Sequence, residues 1–174
     1  MLAALLIMAG LAGCRTKKPA ELSTDKLLFT AREIVSAAEI CTLITLDSTG
    51  HPRARAMDAF LPDDDFVVWF GTNPRSRKVA QIQEDARVTL YYFDKASGSY
   101  VLIAGKGEVI TSAEAKKHHW KPEWKKFYPA YPEGYALLKV TPVWLELLSE
   151  ARGITGDPMT WQPPRIYLDS LEVR

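Results

Sequence analysis

The chain has 174 residues, 47% of them hydrophobic, with five Trp and seven Tyr. That length suits one domain with appendages and leaves ample material for a core. Lys and Arg number 22 against 21 Asp and Glu, a net charge of +1, which argues against a general nucleic-acid binder, for which a strong basic excess or patch is expected.

Residues 1–12 are an apolar run that leads into Gly13 and Cys14. The run is too short for a comfortable transmembrane helix. Apolar residues, then small residues, then Cys resemble a bacterial lipoprotein signal, in which Cys14 becomes the lipidated first residue. No Lys or Arg precedes the run, a departure from that pattern, and the other reading is a buried N-terminal helix. The expected division is a signal peptide at 1–13, a tether at 14–24 and one domain at 25–174. A lipid on Cys14 would hold the domain at a membrane surface without spanning it. The expected location is then the cell envelope, on the periplasmic side. The outer membrane is favoured because Arg15, not Asp, follows Cys14. Without a signal the protein is cytoplasmic.

Ser23 or Thr24 caps a helix beginning near residue 25, with Leu27, Leu28, Ala31, Ile34, Val35 and Ala38 on one stripe. Residues 41–46 read as a strand, where Cys41 behaves as a small hydrophobe. Asp47-Ser-Thr-Gly50 turns the chain into a second strand over 51–60, making a hairpin. A third strand over 66–70 stops at Gly71. After a polar turn, Ser76-Arg77-Lys78 opens a short helix over 78–84. Strands follow over 87–93 and 99–110, with Gly105 and Gly107 marking a bulge or bend. Thr111 or Ser112 caps a helix over 113–120, and 122–126 adds a further helical turn. Its lysines read as a solvated face. His118 and His119 point about 100° apart on a helix, so they are expected in solvent and not as a chelating pair. No Cys/His spacing of a metal site or disulfide framework is present. Residues 135–140 and 143–148 are two strands parted by Thr141-Pro142, and 165–168 is a final short strand. Many short strands in meander order with helices between them predict an α+β fold, a small antiparallel β-barrel with peripheral helices.

Two features point to an anion. A strand feeding the N-terminus of a helix presents backbone N–H groups, and Thr72, Ser76, Arg77 and Lys78 stand at that junction. Arg53, Arg55 and Met57 alternate onto one face of the second strand. Arginines on a face that should bury are costly unless they meet an anion; the other reading is an edge strand in water. Arg binds phosphate bidentately and Lys adds a point charge.

Arg-x-Arg-x-Met on one strand, an aromatic-Gly-Thr-Asn run, then Ser-Arg-Lys at a helix start resemble the FMN-binding split barrel of the pyridoxamine 5′-phosphate oxidase-like superfamily, in its general stress protein branch. The resemblance spans about 27–148. It implies a split barrel that is a homodimer with flavin at the interface. It implies that Arg53, Arg55, Ala56 and Met57 line the isoalloxazine and ribityl side of FMN, with Arg55 the foremost polar contact. Trp69, Phe70, Gly71 and Thr72 would run beside the ring and ribityl chain. For Trp69 and Phe70, plain core is an equal reading. Ser76, Arg77 and Lys78 would hold the phosphate. The family's cross-subunit Gln is missing from Ser99-Tyr100-Val101, where Tyr100 offers stacking instead, and Trp161 would approach the ring from the tail. True oxidases carry an Arg-x-His near the C-terminus, which this tail lacks. The expected function is therefore FMN binding, as a flavin-dependent oxidoreductase with an unknown small-molecule electron donor and acceptor and not as a pyridoxamine phosphate oxidase. The alternative is a non-catalytic flavin, deazaflavin or haem carrier of the cell envelope.

Overall fold

The computed structural model describes residues 22–168. The signal at 1–13, Cys14 and most of the tether lie outside the described residues, as do 169–174. Helix α1, Thr24–Ala38, starts at Ser23, whose hydroxyl accepts the Lys26 N–H. It buries Leu27, Ala31, Ile34 and Val35 and packs across β4, Arg87–Asp94, and β5, Ser99–Ile110. The hairpin strands are β1, Cys41–Leu46, and β2, Pro52–Met57. Strand β3 is Val68–Thr72 and α2 is Arg77–Glu84. The short α3, Ala113–His118, is followed by a 3-10 turn at Pro122–Lys126. Strand β6 is Ala136–Leu148 and β7 is Arg165–Tyr167.

The sheet runs β2-β1-β4-β5-β6-β3, every neighbour antiparallel, with β7 also on β6. Strand β6 divides its free edge: its first half pairs β3 and its second half pairs β7. A bridge between Ala59 and Phe70 ties the chain after β2 to β3 and closes the ring. The fold is the α+β split barrel read from the sequence. Its interior is filled by Leu43, Val68, Phe70, Leu90, Ile103, Leu138 and Leu145, all without exposure, each contributing about 1.5–3 kcal/mol by leaving water.

Several elements differ from the sequence reading; the second strand spans Pro52–Met57 and not 51–60, and the helix after Ser112 ends at His118 and not at 120. The third strand begins two residues later, because Phe66 has φ 59°, outside β geometry. The two strands at 135–140 and 143–148 are one. Strand β6 passes Pro142 with a bulge: Ala104 pairs with Trp144 and Gly105 with Pro142, which leaves Val143 as the extra residue; a Cβ on Gly105 would meet the Thr141 carbonyl, so the strand opposite the bulge needs glycine there. The lysine-bearing segment after α3 is not a plain solvated face. Trp124 there is 4% exposed and joins Tyr135 and Leu137 in a second core cluster. Among the described residues no helix is long and apolar enough to cross a membrane.

Candidate anion and cofactor site

The inward alternation of β2 points Arg55 under α2. Its guanidinium donates to the Thr45 hydroxyl at 2.7 Å, the Gln81 side-chain oxygen at 3.0 Å and the Leu43 carbonyl at 3.3 Å. The Thr45 hydroxyl also donates to Gln81 at 2.6 Å, so three neutral groups fix the guanidinium without neutralising it. Lys78, in the first turn of α2, donates to the Thr72 hydroxyl at 3.0 Å. Thr72 and Ser76 hydroxyls lie 3.3 Å apart. Ser76 occupies the N-cap position yet makes no side-chain cap bond, which leaves its hydroxyl and the first N–H groups of α2 facing the same place.

Arg55, Arg77 and Lys78 form an uncompensated positive cluster. Among the described residues, none of them has an ion pair with a carboxylate. Desolvation, then the Arg55 and Arg77 charges, push Lys78 below the usual lysine range. Desolvation, then Arg77, lower Arg55 in the same way. Like charges held together at a cost, with hydroxyls and a helix N-terminus beside them, make a receptor for a phosphate-like anion.

A shallow cavity of about 230 Å³ extends from this cluster. Ala56, Met57, Gly71, Thr72 and Lys78 form one side, and Asp58, Trp124, Phe127 and Tyr128 form the other. Of the residues read as a site from sequence, the structure therefore gathers Arg55, Ala56, Met57, Gly71, Thr72, Ser76, Arg77 and Lys78. Arg53 goes elsewhere: its Nε meets Asp47 at 2.8 Å, and its side chain is 55% exposed. Phe70 is wholly in the main core. Trp69 turns to the opposite face of β3 and stacks on His119 at 4.0 Å. His119 is thus half-buried and not solvated as expected, and desolvation lowers its pKa. Tyr100 packs beside Tyr91, ring centroids 5.6 Å apart, and Trp161 is 80% exposed; neither lines the cavity of this chain.

Sequence reasoning missed the aromatic wall. Trp124 is seated against Gly71, where a Cβ would meet its ring and that of Tyr135. Its indole N–H donates to Asp58 at 2.7 Å. The signal was present in the Trp-x-x-Phe-Tyr spacing on a short helical turn, but it was masked by the interleaved lysines. Among the described residues no group of three His, Cys, Asp or Glu side chains could hold a metal ion.

The split barrel thus carries a cation cluster at a strand–helix junction and an aromatic-walled cavity beside it. The pyridoxamine 5′-phosphate oxidase family model matches residues 28–149, and the chain belongs to that family. Solved structures agree on the fold. A general stress protein 26-related protein of the pyridoxinephosphate oxidase family from Clostridium acetobutylicum is 20% identical, with TM-score 0.70 over 84% of this chain and 98% of that one. A pyridoxamine 5′-phosphate oxidase-related, FMN binding protein from Nostoc punctiforme is 18% identical, with TM-score 0.59 over 80% and 91%. A heme binding protein from Mycobacterium smegmatis is 15% identical, with TM-score 0.59 over 80% of this chain and 57% of that one. No curated protein matches the chain in sequence.

Proposed function

We propose that this protein binds FMN and acts as a flavin-dependent oxidoreductase, without being a pyridoxamine phosphate oxidase. The observation that carries the reading is the grouping of Arg55, Arg77 and Lys78 close enough to repel one another, with Lys78 on the Thr72 hydroxyl, the Ser76 hydroxyl beside it and, among the described residues, no carboxylate ion-paired with any of the three. A phosphate monoester supplies the missing charge and the acceptor oxygens. Arg77, Lys78, Thr72 and Ser76 hold the phosphate; Met57, Gly71 and Trp124 border the remainder of the ligand. Bound FMN supplies the redox chemistry, and the protein supplies position and electrostatics. Lys78 and Arg55 keep their protons and orient the anionic end. Trp124 and Tyr128 keep water from one side.

The site works as half of a pair. Its volume of about 230 Å³ falls below the roughly 300–1,000 Å³ of pockets that enclose a ligand of this size. Ala56, at the cavity edge, belongs to the outward face of the sheet. Ile44, Tyr91, Leu102, Ala104 and Trp144 continue that face as half-exposed apolar side chains. A second copy seated on it would cover apolar surface and complete the cavity, so the protein is a homodimer in this reading. The lipid on Cys14 and the envelope location belong to the same proposal. They rest on residues 1–14 alone and are checked by the mass of the mature N-terminus.

The test is the absorbance spectrum and mass of what co-purifies with the full chain, followed by anaerobic reduction with nicotinamide cofactors and reoxidation by quinones or oxygen. Flavin bands, the mass of FMN and turnover with one donor–acceptor pair are expected. A Soret band would favour the haem reading of the fold. Flavin that no donor reduces would make the protein a carrier.

A further inference from the structure

We infer that Asp58 is a positioning residue that holds the aromatic wall of the cofactor cavity in place. Asp58 directly follows β2, next to Met57. One carboxylate oxygen accepts the Trp124 indole N–H at 2.7 Å, and the other accepts the Lys121 ammonium at 2.6 Å. Lys121 donates also to the Ala59 carbonyl at 3.0 Å, which locks the same corner from a second side. The residues joined are more than sixty apart in sequence, so this is a tertiary tie.

The wall needs such a tie. Trp124 stands on a single 3-10 turn, Pro122–Lys126, and such turns have poor intrinsic hydrogen-bond geometry. Yet its ring must lie against Gly71, where even a methyl group would collide with it. Phe60 meets the ring edge-on at 5.4 Å, and Lys121 caps the Phe60 and Trp124 rings at 4.9 and 5.2 Å. These contacts press on the indole, and the N–H to Asp58 adds the directional bond that sets its rotation within them. An indole N–H buried without an acceptor would be costly. Asp58 itself lines the cavity, about 10 Å of extended chain beyond Arg55. The cavity lining therefore carries both the Lys78 ammonium and the Asp58 carboxylate. Partial desolvation opposes ionisation of Asp58, but the hydrogen bonds from Lys121 and Trp124 outweigh it and hold the carboxyl below its ordinary range.

The inference rests on the flavin reading for its purpose, not for its geometry, and the experiment separates the two. Full-chain wild type, Asp58→Ala and Asp58→Asn are compared by near-UV circular dichroism without ligand and then by FMN titration. The near-UV signal reports Trp124 among its ring neighbours Trp120, Tyr128 and Tyr135. Far-UV spectra and melting curves check that each variant folds. Asp58→Ala is expected to lose much of the near-UV signal and about tenfold in FMN affinity, the equivalent of one charge-assisted hydrogen bond. Asp58→Asn keeps an oxygen for the indole and is expected to restore most of both. A folded Asp58→Ala with an unchanged near-UV spectrum overturns the inference, as does an Asn variant no better than Ala. If wild type binds no FMN the proposed function falls, while the near-UV comparison still decides the role of Asp58.

Discussion

Lys78 donates to the Thr72 hydroxyl because, among the described residues, no carboxylate pairs with it. Its pKa is lowered by desolvation and by Arg55 and Arg77. The sign of the linkage follows. Between the lowered folded value and the ordinary lysine value, the unfolded chain holds the proton more tightly than the folded one. Stability of the ligand-free protein should therefore rise with pH through that window. A bound phosphate removes the strain on the proton, so the rise should flatten when FMN is present. Urea melts at a series of alkaline pH values, with and without FMN, check this; equal slopes would mean that no anion meets Lys78. The cations were legible in the sequence because Ser-Arg-Lys at a helix start has few structural uses. Arg53 misled because alternation gives the face of a side chain and not its partner; Asp47, in the turn of the same hairpin, reaches it first. Asp58 carried no local signal, since its partners are more than sixty residues away.

At the level of elements, the site is a junction. Strand β3 brings Gly71 and Thr72 between the cation cluster and the 3-10 turn. Gly71 is required there by close approach, not by its φ angle: a Cβ would lie 2.7 Å from a Tyr135 ring carbon and press on the Trp124 ring. Gly71→Ala should cost about 1–3 kcal/mol, the usual range for overpacking, and should weaken cofactor binding with it. Chemical denaturation and FMN titration of the same variant measure both; unchanged stability would mean that the wall yields freely. Strand periods and the hairpin could be read from alternation. The continuity of β6 through Pro142 could not, because it depends on a bulge at Val143 that only the pairing with β5 defines. The aromatic wall was hidden for a related reason: the lysines between Trp124 and Phe127 satisfy the pattern of a solvated face, while the tryptophan just before them is buried.

At the scale of the whole molecule, the barrel places an open cavity at the margin of an apolar sheet face. The dimer in the proposed function predicts that Leu102→Glu, in the middle of that face, yields a folded monomer with weakened FMN binding. Light scattering coupled to size exclusion reads the mass, and a dimer that persists would separate the face from the site. The barrel topology was accessible from the count and order of short strands, whereas the apolar face to which the proposal assigns a second copy becomes visible only when outward residues of five strands are brought side by side. The central claim is that the cluster of Arg55, Arg77 and Lys78 recognises the phosphate of the cofactor. It is tested most directly by titrating the protein with FMN and with riboflavin, which differ only in that phosphate, for wild type and for Arg77→Ala with Lys78→Ala. Charge-assisted bonds of roughly 1.5–3 kcal/mol each predict that wild type prefers FMN by about a hundredfold or more. The double variant should fold normally and lose that preference. Equal affinity of the wild type for FMN and riboflavin would contradict the account.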